Sequence, residues 1–193
     1  MRRPVRVVGL TGGIGAGKSE ALRSFAAHGA ATLSSDAIVH DLYLDPEVRA
    51  AVVEHFGPSV VDAGGAVDRS AVAARVFADA REREWLEALL LPRISRRFEA
   101  WRDAELAAGA PLLVHEAPTL FEAGAQDRYD AIVVVTAPAE LRERRRPGAV
   151  ERMAHQLPEA EKAARSDFAF QNDGDLEALD RWVAELVEQL TAG

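Results

Sequence analysis

Short apolar runs alternate along this chain with longer stretches in which apolar positions recur every three or four residues. Residues 5–10, 111–116 and 130–135 are brief, rich in Val, Ile and Leu, and bounded by Gly or Pro, as expected of strands buried on both faces. Residues 31–34 and 167–171 are weaker candidates of the same kind. Between them the spacing predicts helices over 18–28, closed by Gly29; over 46–56, opened by Asp45 and closed by Gly57; and over 175–190, opened by the turn Asn172-Asp173-Gly174. Strands and helices alternating in this way predict an α/β fold with a five-stranded parallel sheet and crossover helices.

Residues 68–109 break the alternation. They hold no strand-like run, carry capping signals at Asp68 and Asp79, and are dense in Arg and Glu, with Trp85 and Trp101 set among Leu residues. The pattern predicts several consecutive helices inserted between the second and third strands. No internal repeat and no Ser- or Gly-rich linker marks a separate domain, so residues 1–193 read as one domain carrying a helical insertion.

Composition narrows the class of protein. With 48% hydrophobic and 28% charged residues, the chain has the balance of an ordinary globular protein. A net charge of -8 argues against a nucleic-acid-coating role. The absence of cysteine excludes disulfides, thiolate metal sites and cysteine nucleophiles. No apolar run is long enough to cross a bilayer, and "MRRPVRVVGL" has no cleavage-site pattern. The expectation is a soluble cytoplasmic protein, monomeric or a small homo-oligomer, with no nucleic-acid or membrane partner.

The densest chemical signal is "VVGLTGGIGAGKSEAL". Gly12, Gly17, Lys18 and Ser19 fit G-x-x-x-x-G-K-[ST] between a predicted strand and a predicted helix, the context of a phosphate-binding loop. Glycines let such a loop wrap so that its amides face phosphate oxygens, and the helix N-terminus adds the positive end of a dipole. Residues Gly13, Gly15, Ala16, Gly17, Lys18, Ser19 and Glu20 are therefore expected to bind nucleotide, with Lys18 on the β- and γ-phosphates and Ser19 on Mg²⁺. The guanine-specifying Asn-Lys-x-Asp is missing, and "DAGG" at 62–65 follows no convincing strand, so it reads as a plain turn rather than a GTPase switch. A compact ATP-dependent phosphotransferase fits best. An acid just past the second strand, Asp36, and one ending the third, Glu116, stand where ligands of parallel sheets sit. Asp36 suits a general base, although Asp is also common at helix N-caps; Glu116 suits a water-mediated Mg²⁺ contact or a strand-end charge. Arg142, Arg144, Arg145, Arg146 and Arg152 are the densest basic cluster, suited in part to γ-phosphate charge and in part to a solvated helix face.

Taken in order, "GLTGGIGAGKS", "SSDAIVHDL", "VDRSAVAARVF", "LEALLLPRI", "APTLFEAG", the arginines after "VVVTAP", "RMAHQLPEAEKAARSDF" and "QNDGDLEAL" resemble the dephospho-coenzyme A kinase family over nearly the whole chain. The resemblance implies a P-loop kinase-type three-layer fold, with 68–109 as a helical substrate-binding subdomain and about 139–157 as a short lid. It implies ATP with Mg²⁺ and dephospho-CoA as the substrates. By position it implies Asp36 beside the acceptor ribose as proton acceptor, His40 and Phe121 on the acceptor side, Glu116 near Mg²⁺, Arg145 and Arg152 as lid arginines, and Asn172 near the adenine. Lys18, Asp36 and Arg145 would carry the catalysis.

The chain departs from the family at several places. Glu20 stands where Thr is usual, His40 replaces an Arg, Leu91 replaces a His before Pro92, Ser34 replaces one of two closely spaced acids, and Glu116 replaces an Asp. The stretch "RPGAVER" is shorter than the usual lid. A kinase of another small hydroxylated acceptor, such as a nucleoside monophosphate or sugar acid, and an ATP-binding protein with weakened catalysis stay open as alternatives.

Overall fold

The five apolar runs form one sheet: β1 (Val7–Gly12), β2 (Ala31–Ser34), β3 (Leu113–Glu116), β4 (Ala131–Thr136) and β5 (Phe168–Gln171). All pairings are parallel, in the order β2-β3-β1-β4-β5. The computed structural model describes residues 6–153 and 156–192, without the side chains of Val150 and Arg152. Every residue of β1 and β3 is buried, which is why those strands read as unbroken apolar runs. The two strands with weak sequence signals, β2 and β5, are the sheet's edges and are only partly covered. Residue 5, where the first strand is expected to begin, lies outside the described residues. At its other end β1 continues past the expected Leu10, because Thr11 and Gly12 pair with Val134 and Val135 of β4.

Side chains alternate between the two faces of the sheet. Val8, Leu10, Val114, Val133 and Val135 pack on α1 (Lys18–Ala27) and α9 (Leu176–Thr191) around the fully buried Phe25. The α9 stripe of Leu179, Val183, Leu186 and Leu190 supplies the helical half of this layer. On the other face Ile132 joins Leu120, Phe121, Tyr129 and Leu157, and α8 (Glu159–Ala164) packs on β1 and β4. The result is a helix–sheet–helix sandwich whose central strand, β1, delivers the glycine-rich loop from its carboxyl end, where ligands of such sheets bind.

The described residues up to Ser34 and from Arg102 onward make one compact unit, and Ser35–Trp101 make a second. The second unit is helical: α2 (Ser35–Leu44), α3 (Pro46–Phe56), α4 (Arg69–Ala78) and the greater part of α5 (Ala80–Ala107). Helices α2 and α3 therefore join α4 and the body of α5 in one unit. Asp45 and Asp68 each accept two backbone N–H groups at the starts of α3 and α4, and Asp175 does the same for α9. Such caps contribute about 1 kcal/mol each. Within this unit His55 stacks on Trp85 at a ring separation of 3.7 Å, and Phe56 meets Trp85 edge-on. Pro92 lies inside α5 without ending it, and Arg93 folds back to donate to the Leu89 carbonyl at 2.8 Å. The "DAGG" segment is a closed turn, with the Asp62 carboxylate accepting the amides of Gly64 and Ala66 at 2.9 Å each.

After β4 the chain makes α6 (Ala139–Arg145), α7 (Ala149–Arg152) and then α8. Two of these short helices, α6 and α7, fall in the stretch expected to serve as a lid.

Candidate active site

The loop between β1 and α1 needs glycine for identifiable reasons. Gly12 has φ +144°, and a side chain there would place Cβ 2.1 Å from the Val135 carbonyl oxygen. Gly17, at φ +107°, leaves room for Asn172, whose Nδ2 would lie 2.1 Å from an added Cβ. The first glycine lets β1 lie tight against β4 as the loop begins, and the second lets the loop close on α1.

An account of the loop's backbone groups shows what this geometry is for. Four of the carbonyls are engaged. Gly13 O accepts from Lys18 Nζ at 2.9 Å and from Ala16 N; Gly15 O accepts from Arg145 at 3.1 Å; Ala16 O accepts from Asn172 Nδ2 at 2.8 Å and from Arg145; Gly17 O accepts from Glu20 N and Ala21 N. Among the described residues, the amides of Gly15, Gly17 and Ser19 donate to no protein acceptor. Backbone N–H groups are rarely left over in this way, and three of them at a helix N-terminus make a site for an anion. They line a pocket of about 490 Å³ together with Lys18, Glu20, Arg145 and Asn172.

The basic cluster separates into distinct environments. Arg142 is buried: its Nε donates to the Ala137 carbonyl at 3.1 Å and lies 3.5 Å from a Glu159 carboxylate oxygen. It is a strut behind the loop. Arg145, one turn further along α6, reaches the loop carbonyls and Asn172 Oδ1 and lines the pocket, and Arg146 lines it as well. Arg144 is exposed. The Arg152 side chain lies outside the described residues. Glu20, the unexpected acid beside the phosphates, is ion-paired with Arg23. That pairing offsets part of its repulsion toward an anion.

Asn172 is 1% exposed and braces the loop rather than standing apart from it. Its Nδ2 holds Ala16 O, and its Oδ1 accepts from Arg145 and from the Gly174 amide. Glu116 is buried at the carboxyl end of β3, directly across from Ser34 in β2, whose hydroxyl donates to it at 3.0 Å. A serine hydroxyl thus fixes the carboxylate. Ser19 is exposed in the first turn of α1. A hydroxyl and a carboxylate are hard oxygen donors suited to Mg²⁺, which keeps several waters and takes its remaining ligands from phosphates. Accordingly, no group of three or more His, Cys, Asp or Glu able to hold a metal occurs among the described residues.

The larger unit thus gathers Gly13, Gly15, Ala16, Gly17, Lys18, Ser19, Glu20, Arg145 and Asn172 at one loop. Asp36 and His40 belong to the helical unit, both exposed and one turn apart on α2, with Asp36 in its first turn. Phe121 is buried in the apolar cluster with Leu120 and Ile132, and the Arg165 guanidinium lies 4.6 Å from its ring centre. Three polar side chains, two of them buried, escape sequence reasoning. His115 faces the layer that holds Tyr129, with Nδ1 2.8 Å from the tyrosine hydroxyl; burial, helped by the Arg128 charge, pushes its pKa down to about 4. Burial likewise pushes the Tyr129 hydroxyl far up, so the two meet as neutral partners. Glu159 and Lys162, both on α8, make contacts with segments far away in sequence and leave no local pattern to read.

Comparison with known proteins gives this arrangement its family. The dephospho-CoA kinase family model matches residues 6–178. The dephospho-CoA kinase of Anaeromyxobacter dehalogenans is 43% identical over 94% of this chain and 92% of its own length. That of Deinococcus radiodurans is 39% identical over 96% and 92%. The crystal structure of TT1252 from Thermus thermophilus superposes with a TM-score of 0.79 at 33% identity, covering 98% of this chain and all of that one. A family model matched over residues 6–178, with relatives about 40% identical over nearly the full length, means that the chain belongs to the dephospho-CoA kinase family.

Proposed function

We propose that the protein transfers the γ-phosphoryl group of ATP to the ribose 3′-hydroxyl of dephospho-CoA, releasing ADP and coenzyme A. The observation that supports the donor half most strongly is the imbalance in the loop, with most of its carbonyls engaged and the amides of Gly15, Gly17 and Ser19 turned to no protein acceptor among the described residues. The acceptor half rests on family membership and on Asp36.

In this reading the amides of Gly15, Gly17 and Ser19 cradle the phosphates, and the Lys18 ammonium leaves Gly13 O to follow the γ-phosphoryl charge. Gly13, Ala16 and Asn172 act through the loop, fixing its shape, and Glu20 stays paired with Arg23 beside the nucleotide. The Ser19 hydroxyl and, through water, the Glu116 carboxylate would hold Mg²⁺, which would supply charge neutralisation at the phosphates when bound. Asp36 orients the 3′-hydroxyl and accepts its proton as the oxygen attacks phosphorus in line; the bond from phosphorus to the bridging oxygen breaks, and ADP departs. Arg145 and Arg152 offset the charge spread over the transferring group. His40 and Phe121 belong to the acceptor side. The helical insertion at 68–109 binds substrate, the 139–157 stretch closes as a lid, and the reaction runs in the cytoplasm. Among the described residues no helix is long and apolar enough to cross a membrane.

A coupled ADP-release assay tests the assignment with Mg²⁺-ATP and a panel of dephospho-CoA, nucleoside monophosphates and sugar acids. The expected result is turnover on the order of 1–100 s⁻¹ with dephospho-CoA alone. Faster turnover with another acceptor contradicts the substrate assignment.

A further inference from the structure

Helix α8 is six residues long and carries one fully buried charge, Lys162, and one half-buried charge, Glu159. Lys162 is fully buried, and its ammonium is satisfied by Pro118 O at 2.9 Å, Glu122 Oε1 at 2.9 Å and Gln156 Oε1 at 3.2 Å. It pins the loop after β3. Glu159, three residues earlier, turns the other way. Its Oε1 accepts the Gly13 amide at 3.1 Å, and its Oε2 lies 3.4 Å from the Ala137 amide and 3.5 Å from Arg142 Nε.

Those three partners belong to distinct parts of the donor site. Gly13 follows the last residue of β1 and opens the phosphate loop, and Ala137 follows the last residue of β4 and leads into α6. One carboxylate thus ties together the exits of two neighbouring strands. Arg142 completes the tie: it donates to Ala137 O, and its own backbone presses on the loop so closely that a Cβ at Gly15 would come 2.8 Å from Arg142 O. Arg145, three residues on, grips Gly15 O and Ala16 O. An acid beside a polyphosphate site is unfavourable unless neutralised, and the buried Arg142 supplies that neutralisation.

We propose that Glu159 is a positioning residue for the donor nucleotide. It sets the entry of the phosphate loop and the root of α6 with a single carboxylate, so that the loop amides and Arg145 hold one mutual geometry. The inference rests on the reading of the loop as an ATP site and is independent of the acceptor.

Glu159→Gln keeps the length and one acceptor oxygen for the Gly13 amide. It removes the charge opposite Arg142 and turns an NH₂ group toward two other donors. Equilibrium ATP binding, measured by calorimetry with no acceptor present, is expected to weaken about 10-fold, the scale of one charge-assisted hydrogen bond. Thermal unfolding without ATP should shift by only a few degrees, and steady-state KM should rise for ATP and not for dephospho-CoA. A purely structural acid behaves differently: the unfolding temperature falls while ATP affinity of the folded protein stays within twofold, and that outcome overturns the proposal. Should Glu159→Gln not fold, Glu159→Asp retains the charge and draws the carboxylate back by one methylene. It is expected to weaken ATP binding at least threefold, and unchanged affinity overturns the proposal equally. Wild-type protein that binds ATP and ignores dephospho-CoA contradicts the proposed function and leaves this measurement intact; wild-type protein that does not bind ATP overturns both.

Discussion

The phosphate loop and the first turn of α2 would carry the two halves of the reaction, and they are built in opposite ways. The loop is tied from all sides: Lys18, Asn172 and Glu159 each hold one of its backbone groups, Arg145 holds two, and Lys18, Asn172 and Arg142 behind it are buried. The turn that bears Asp36 is exposed, as is His40 one turn later. Preorganised donors are most effective where charge must be met without reorganisation, which is the task at the transferring phosphates. An acid that receives a large acceptor is more accessible by necessity, and its specificity comes from what surrounds the acceptor.

Removing the loop's own cation should cause the largest change. Lys18→Ala is expected to lower kcat by about 10²-fold or more, since a preorganised cation at the transferring group contributes several kcal/mol. Far-ultraviolet circular dichroism should stay that of the wild type. Turnover within a few-fold of wild type would mean that the tied loop is not the donor site.

Acid should weaken the scaffold beneath the loop in a defined window. The unfolded His115 imidazole titrates near 6.5 and the folded one at about 4. As pH falls from 6.5 toward 4, the unfolded chain takes a proton that the folded chain refuses, so the contribution is complete above 6.5 and gone below 4. The loss amounts to about 3 kcal/mol. Urea unfolding of wild type and His115→Gln at pH 7 and pH 4.5 isolates it: the stability difference between the two pH values should be smaller in the variant. Equal pH dependence would contradict burial as the cause.

A smaller effect distinguishes arginines on one short helix. Arg145→Ala should lower kcat by about 10-fold, losing a cation that lines the pocket, while Arg144→Ala, exposed on the same helix, should leave both kcat and KM unchanged. If the two variants behave alike, the separation of the cluster into pocket-lining and surface members fails.

Strands and caps were the legible part of this protein. Strands buried on both faces leave continuous apolar runs, and Asp45 and Asp68 announce their helices because a cap is a contact between residues two or three apart. The glycine motif announces its loop for the same reason. What the sequence hides is contact across long separations. Nothing local tells that Arg142 is a buried strut while Arg145 reaches the pocket, or that Asn172 braces Ala16 from the far end of the chain. Nor does anything local tell that Phe121 packs into the apolar layer with Leu120 and Ile132. Residues 68–109 do hold the expected helices, yet α2 and α3 belong to the same compact unit; a unit boundary depends on three-dimensional contacts that helix periodicity does not encode.

The central claim is that the tied loop binds ATP while Asp36 serves the acceptor. Single-turnover transfer from ATP to dephospho-CoA, measured with ATP affinity on the same preparations of wild type and Asp36→Asn, tests it most directly. Asparagine keeps the shape and can still accept a hydrogen bond but cannot take the proton. The account predicts ATP affinity within twofold of wild type and transfer slower by about 10²- to 10⁴-fold, or less where a loose transition state demands little deprotonation. Transfer by Asp36→Asn at the wild-type rate would contradict it, leaving that aspartate as no more than an acid in the first turn of α2.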